Sequence, residues 1–231
     1  DMDDKTVVNR EYSHLILLCE NQEGYQNLVR LVSQGFTRGF YYKPRVDYAL
    51  LKKYSKGLIA LSACISGDLP KLLLDGRTND ARAMAQKYLD IFGEGNFFIE
   101  LQDHGIPEQK QVLPRLVKLA REMEIPLVVT NDCHYLTQED ASAQEVLMCI
   151  QTGKTLDESS RMRFSSDKFY MRTQEEMAEA LAPYPAALAN TLEIAGRCEV
   201  DLQFGQIILP VFDVPSQYAA MDEKDALDAY L

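Results

Sequence analysis

At 231 residues and 46% hydrophobic, with no apolar run near the roughly 18 residues of a membrane span, the chain has material for a sizeable core and none for a bilayer-crossing helix. Its 24 basic residues face 35 acidic ones, a formal net charge of -11, which argues against a free-standing nucleic-acid binder because such affinity comes largely from neutralising phosphates. Five cysteines, odd in number and without a C-x-x-C pair, exclude a zinc knuckle or a disulfide framework and, with no signal peptide, point to a reducing cytoplasm.

The opening Asp-Met-Asp-Asp-Lys reads like the interior of a loop and suggests an excised piece. From residue 12 the chain alternates short apolar strands with amphipathic helices. His14 to Cys19 is too short and too uniformly apolar for a helix and predicts a buried strand. Asn21 then caps a helix from Glu23 to Arg38 with Tyr25, Leu28, Val29, Val32 and Phe36 on one face, ended by Gly39. The following Phe40-Tyr41-Tyr42-Lys43-Pro44-Arg45 is the one place where aromatic and basic residues interleave, and so short a patch reads as a solvated loop.

Asp47 caps a short helix through Tyr54, and Leu58 to Leu61 forms a second strand leading into Ser62-Ala63-Cys64. Helices follow over Asp68 to Leu74 and Asn79 to Phe92, stopped by Gly76 and Gly93. Phe97 to Leu101 is a third strand, and Pro107 starts a helix through Glu124 that contains Pro114. Leu127 to Asn131 is the fourth strand and runs into Asp132-Cys133-His134.

Beyond this point the texture turns mostly helical. Thr137 caps a helix to Gln151, Thr173-x-x-Glu176 is a full capping box opening a helix to Leu181, and Pro185 starts another to Cys198. Residues 199 to 217 read as an extended linker, and 222 to 231 begin one more helix. The alternation argues for an α/β protein with a parallel sheet, either open or part of a barrel, since four strands are too few to close one.

The chemistry-bearing residues cluster at strand ends. Residues i and i+2 of a strand point the same way, so Asp132 and His134 would present a carboxylate and an imidazole side by side. If the strands are neighbours, His14, Cys64, Asp132 and His134 converge on one site, with donor types suited to zinc and, through the carboxylate, to manganese. His14 stands at a strand entrance whereas the others stand at exits, so it would have to reach inward.

Plainer alternatives remain at this stage: His14 as a satisfied histidine, Cys64 as a small buried hydrophobe, and His104 as a loop residue. Glu100 shares a strand face with Phe98 and either lines the site or points to solvent. No Gly-rich phosphate loop and no Gly-x-Ser-x-Gly elbow is present.

The stretches 12–36 (YSHLILLCENQEGYQNLVRLVSQGF), 57–70 (GLIALSACISGDLP), 97–109 (FFIELQDHGIPEQ), 125–156, 169–177 (FYMRTQEEM) and 187–198 (ALANTLEIAGRC) resemble the PHP (polymerase and histidinol phosphatase) domain of bacterial C-family replicative polymerases. That resemblance implies a distorted seven-stranded, TIM-like barrel, of which residues 1–168 supply the later strands and 169–231 a helical extension toward the polymerase palm.

It also implies a cluster of divalent ions, zinc or manganese, and 3′ to 5′ exonuclease activity. The last four ligand positions fall on His14, Cys64, Asp132 and His134, and the earlier ones lie upstream of residue 1. Asp132 and His134 would be central to catalysis, and His104 is a weaker candidate for touching the substrate strand. The implied partners are DNA, through the full-length polymerase, and other replicase subunits, in the cytoplasm and without a membrane. A silent scaffold that docks a proofreading exonuclease, and a free-standing phosphoesterase, are the alternatives.

Overall fold

The computed structural model describes residues 12–207, 215–218 and 221–230. The opening Asp-Met-Asp-Asp-Lys and residues 208–214 of the expected linker lie outside the described residues. The chain divides after Val200 into two compact units.

In the first unit, strand β1 (Ile16–Cys19) is followed by helices α1 (Gln22–Thr37) and α2 (Tyr48–Lys53), then by β2 (Leu58–Leu61), α3 (Asp68–Leu74) and α4 (Thr78–Phe92). Next come β3 (Phe97–Leu101), α5 (Pro107–Met123), β4 (Leu127–Val129), α6 (Ala141–Thr152), α7 (Gln174–Ala180) and α8 (Pro185–Arg197). The second unit holds a 3-10 turn at Ser216–Tyr218 and helix α9 (Glu223–Tyr230). Among the described residues no helix is long and apolar enough to cross a membrane.

The capping chemistry is realised residue by residue. Asn21 accepts from the Gly24 amide at 3.0 Å and Asp47 from the Leu50 amide at 2.9 Å. Thr173 and Glu176 form the reciprocal box that opens α7, and Thr137 and Asp140 form a second one.

The four described strands stand in chain order. β2, β3 and β4 are parallel, but β1 is antiparallel to β2, with Ile16 opposite Leu61 and Cys19 opposite Leu58. A wholly parallel sheet was the expectation. Through α1 and α2 the chain returns to the sheet at the end where β1 left it, whereas the connections from β2 to β3 and from β3 to β4 cross over to the opposite end.

The burial of α1 also departs from the pattern read in the sequence. Its inward face is Gly24, Asn27, Leu31 and Gly35, while Val29, Val32 and Phe36 are exposed. Small residues won over large ones because the helix lies almost against the chain before β2: a Cβ on Gly24 would sit 1.8 Å from the Gly57 carbonyl oxygen.

Alternation along the strands sorts side chains onto two faces. Leu58, Ala60, Phe97, Ile99, Leu101 and Val129 join the large core built with α3, α4 and α5. Ile59, Leu61, Phe98 and Val128 pack against Ile194 of α8. The Asn190 amide donates to the Leu127 carbonyl at 2.8 Å, and the Arg197 guanidinium holds the Glu20 carboxylate at 3.0 Å, the Gly95 carbonyl at 2.7 Å and the Asn96 side-chain oxygen. These contacts place α8 inside the first unit, which extends to Val200.

Candidate functional site

Because β1 runs against β2, the residues just before β1 lie at the end of the sheet where β2 leaves it, and the parallel strands β3 and β4 leave at that same end. His14 bonds through its amide to the Ser66 carbonyl at 3.1 Å and bridges to Gly67. Its Nδ1 is 3.7 Å from the Cys64 sulfur. The position that counted against His14, a strand entrance among exits, is therefore the position that brings it to Cys64. Burial pushes the Cys64 thiol up, hydrogen bonding from Ser66 opposes this, and the charges of Asp132 and Glu100 add to the rise. Asp132 is thus within electrostatic reach of Cys64.

Asp132 and His134 do not follow strand alternation. The ladder of β4 ends at Val129, and Asp132 adopts a left-handed backbone with φ 47°. Non-glycine residues enter that region at a cost. The following turn brings the His134 Nδ1 to 2.7 Å from the Asp132 carbonyl oxygen, so Nδ1 carries the proton and Nε2 presents the lone pair. The ring stands edge-on to Phe164 and Phe169, and the His134 amide donates to the Phe169 carbonyl at 2.7 Å. A bridge between Tyr135 and Tyr170 continues the clamp, and the Asn131 amide and the Cys133 thiol both donate to the Tyr170 carbonyl.

Beneath this loop lies a buried polar layer on the exit of β3. Glu100 is 3% exposed, so the alternative of a solvent-facing carboxylate is excluded. Its carboxylate accepts from the Ala63 amide and, at 2.7 Å, from the Thr130 hydroxyl, while its own amide donates to the Ser62 hydroxyl at 2.9 Å. Burial raises the Glu100 acid, and the hydrogen bonds from Thr130 and Ala63 hold it back. Gln102 donates to Thr130 at 2.8 Å and keeps a buried, unpartnered Oε1.

His104 is fully enclosed. Its Nε2 meets the Asn131 carbonyl at 2.6 Å, its Nδ1 accepts from the Gln109 amide at 2.7 Å, and its ring stacks on Phe169 at 4.0 Å. A ring with both nitrogens engaged and one face covered has no edge left for a substrate strand. Its burial holds the imidazole below the ordinary histidine value. In this structure His104 supports the backbone at Asn131.

The period-two run Phe98, Glu100, Gln102, His104 carried the signal for this layer: three polar side chains continuing one face of an apolar strand. Thr130 and Gln109, the partners that fix it, are invisible to spacing.

Zinc and manganese are the ions this donor set would take. An imidazole beside a thiol, a carboxylate close by, and a second imidazole whose tautomer is set by a carbonyl are the right chemistry. The number gathered falls short: among the described residues no three His, Cys, Asp or Glu side chains come close enough together to hold an ion.

A family model described as the PHP domain matches residues 2–104. The chain is 46% identical over 216 residues to the DNA polymerase III subunit alpha of Treponema pallidum, 43% over 211 residues to that of Borreliella burgdorferi, and 46% over 213 residues to that of Thermus aquaticus. These matches take in 94%, 91% and 88% of this chain but only 18%, 18% and 17% of the respective relatives.

Proposed function

We propose that the chain, a member of the PHP-domain family in the form carried by bacterial DNA polymerase III alpha subunits, forms part of a PHP barrel and one half of a metal-dependent phosphodiesterase site acting on DNA. Because it spans less than a fifth of those relatives' length, replication of DNA and contacts with other replicase subunits belong to the same proposal. So do a seven-stranded barrel and a cytoplasmic location.

The observation that supports this reading is the meeting of His14 with Cys64 at 3.7 Å at the exit end of the sheet, with Asp132 in electrostatic reach. His14, Cys64, Asp132 and His134 would hold zinc or manganese together with donors from outside the described residues. A divalent ion held by these residues would supply Lewis acidity toward a phosphate ester and its attacking water. The chain's own part is positional: the Asp132 carbonyl orients the His134 ring, Phe164 and Phe169 shield one side of it, and Tyr170 holds the turn between them.

One observation favours a scaffold instead, namely that two donors and not three are in mutual contact among the described residues. The test is metal content and exonuclease rate on single-stranded DNA for the complete polymerase subunit before and after Asp132→Asn. A fall of about tenfold or more in metal affinity, with loss of rate, is the expected result. Unchanged metal content and unchanged rate refute the catalytic proposal and leave the scaffold.

A further inference from the structure

Glu100 sits in β3 with an apolar residue on each side, Ile99 and Leu101, both fully buried. A carboxylate there is expensive unless its hydrogen bonds are complete, and removing its partners leaves a desolvated charge. Its two oxygens are spent on two different strand exits. One accepts from the amide of Ala63, the residue before Cys64; the other accepts from the hydroxyl of Thr130, two residues before Asp132.

Both exits carry a left-handed non-glycine residue, Ala63 at φ 63° and Asp132 at φ 47°. Strain of this kind persists only where surrounding groups impose it. The Ala63 amide points at Glu100 because of that backbone, and the carboxylate is what rewards it. A cavity of about 10 Å³ lies beside it, lined in part by Ala63, Cys64, Glu100, Gln102 and Gln109. With the carboxylate in place that is room for at most one water.

We infer that Glu100 is a positioning residue: it ties the exits of β2 and β4 to the end of β3 and so fixes where Cys64 and Asp132 stand relative to each other. This rests on the proposed site, in which those two residues act together. In that arrangement Glu100 touches neither ion nor substrate and acts through the backbone of its neighbours.

The test uses the complete polymerase subunit with Glu100→Ala, Glu100→Gln and Glu100→Asp. The readout is the rate of N-ethylmaleimide labelling at each cysteine, resolved by peptide mass spectrometry, with Cys19 and Cys198 as internal references. Glu100→Asp keeps the charge but is one methylene too short to reach both partners, and it should change the Cys64 rate about tenfold, the size of one charged hydrogen bond. Glu100→Ala should do the same. Glu100→Gln, whose oxygen still accepts from Ala63, should raise the rate only slightly, through loss of a charge that opposes the thiolate. Reference cysteines should be unaffected in all three.

A Cys64 rate that is unchanged in Glu100→Asp, or that rises only in step with Cys19 and Cys198, overturns the inference, even if Glu100→Ala fails to fold. A Co²⁺ titration separates this from the metal proposal. A thiolate-to-cobalt absorption that Cys64→Ser abolishes, and that weakens in Glu100→Asp, supports both. Its absence in the parent protein refutes metal binding by this chain, while the labelling rates still decide the role of Glu100.

Discussion

Replacing His104 with alanine removes an enclosed ring that three groups depend on. The part-buried Asn131 carbonyl and the buried Gln109 amide each lose a partner, at about 1–3 kcal/mol apiece. The stacked pair with Phe169, its centroids 4.0 Å apart, adds about 0.5–1.5 kcal/mol. The expected total is about 2.5–7.5 kcal/mol, a large share of the roughly 5–15 kcal/mol that holds a domain folded. Urea unfolding followed by circular dichroism measures it as a fall in midpoint at constant slope. A double-mutant cycle with Gln109→Ala should show a coupling of about 1 kcal/mol or more, because the two side chains bond each other.

The same residue sets a pH dependence with a definite sign. Burial holds its folded-state value down, so as acid is added the unfolded chain takes up a proton first. The contribution of His104 is complete above the ordinary histidine pKa of about 6.5 and is lost as pH falls through the folded value. His104→Ala should therefore flatten the stability profile on the acid side of about pH 6.5. A loss below about 1 kcal/mol with an unchanged acid slope would refute the assignment of His104 as a buried, neutral support.

Other substitutions test the packing. Gly24→Ala should destabilise by about 2–3 kcal/mol in urea unfolding, since its Cβ meets the Gly57 carbonyl oxygen at 1.8 Å; a neutral result would show that α1 can back away. Leu31→Ala, at a position 2% exposed, should cost about 2–5 kcal/mol, whereas Phe36→Ser, at 58% exposed, should stay within about 0.5 kcal/mol; the reverse order would restore the face read from the sequence. Ala63→Gly relieves a left-handed backbone and should raise the melting temperature in calorimetry by about 2–4 °C, and a fall would mean that the Ala63 methyl group packs usefully.

Much of the architecture is legible because local chemistry dictates it. Leu58 to Leu61 and Phe97 to Leu101 are apolar runs bounded by breakers, and both are strands with the bounds read from the sequence. Asn21, Asp47 and Thr173 cap helices through bonds that need only near neighbours. What local chemistry does not carry is direction and distance. The reversal of β1 depends on the end at which the chain returns to the sheet, and the inward face of α1 depends on what it must approach.

The candidate site divides along the same line. His14 and Cys64 were singled out by residue type, yet their contact follows from strand direction, which no spacing records. Asp132 and His134 were placed together for a reason that fails, because β4 stops at Val129 and a turn, not a pleat, orients them. Their support comes from Phe169 and Tyr170, distant in sequence and near in space.

The placement of Ile194 against Ile59, Leu61, Phe98 and Val128 has a price in time. A ribosome adding roughly 5–20 residues per second needs on the order of 5–20 s to travel from Phe98 to Ile194. Throughout that interval the nascent sheet has one greasy side bare, and Arg197, which stitches the far corners of that side together, is made later still. Holdase chaperones would find their longest window there, and a stalled ribosome anywhere before α8 would leave a product prone to clumping.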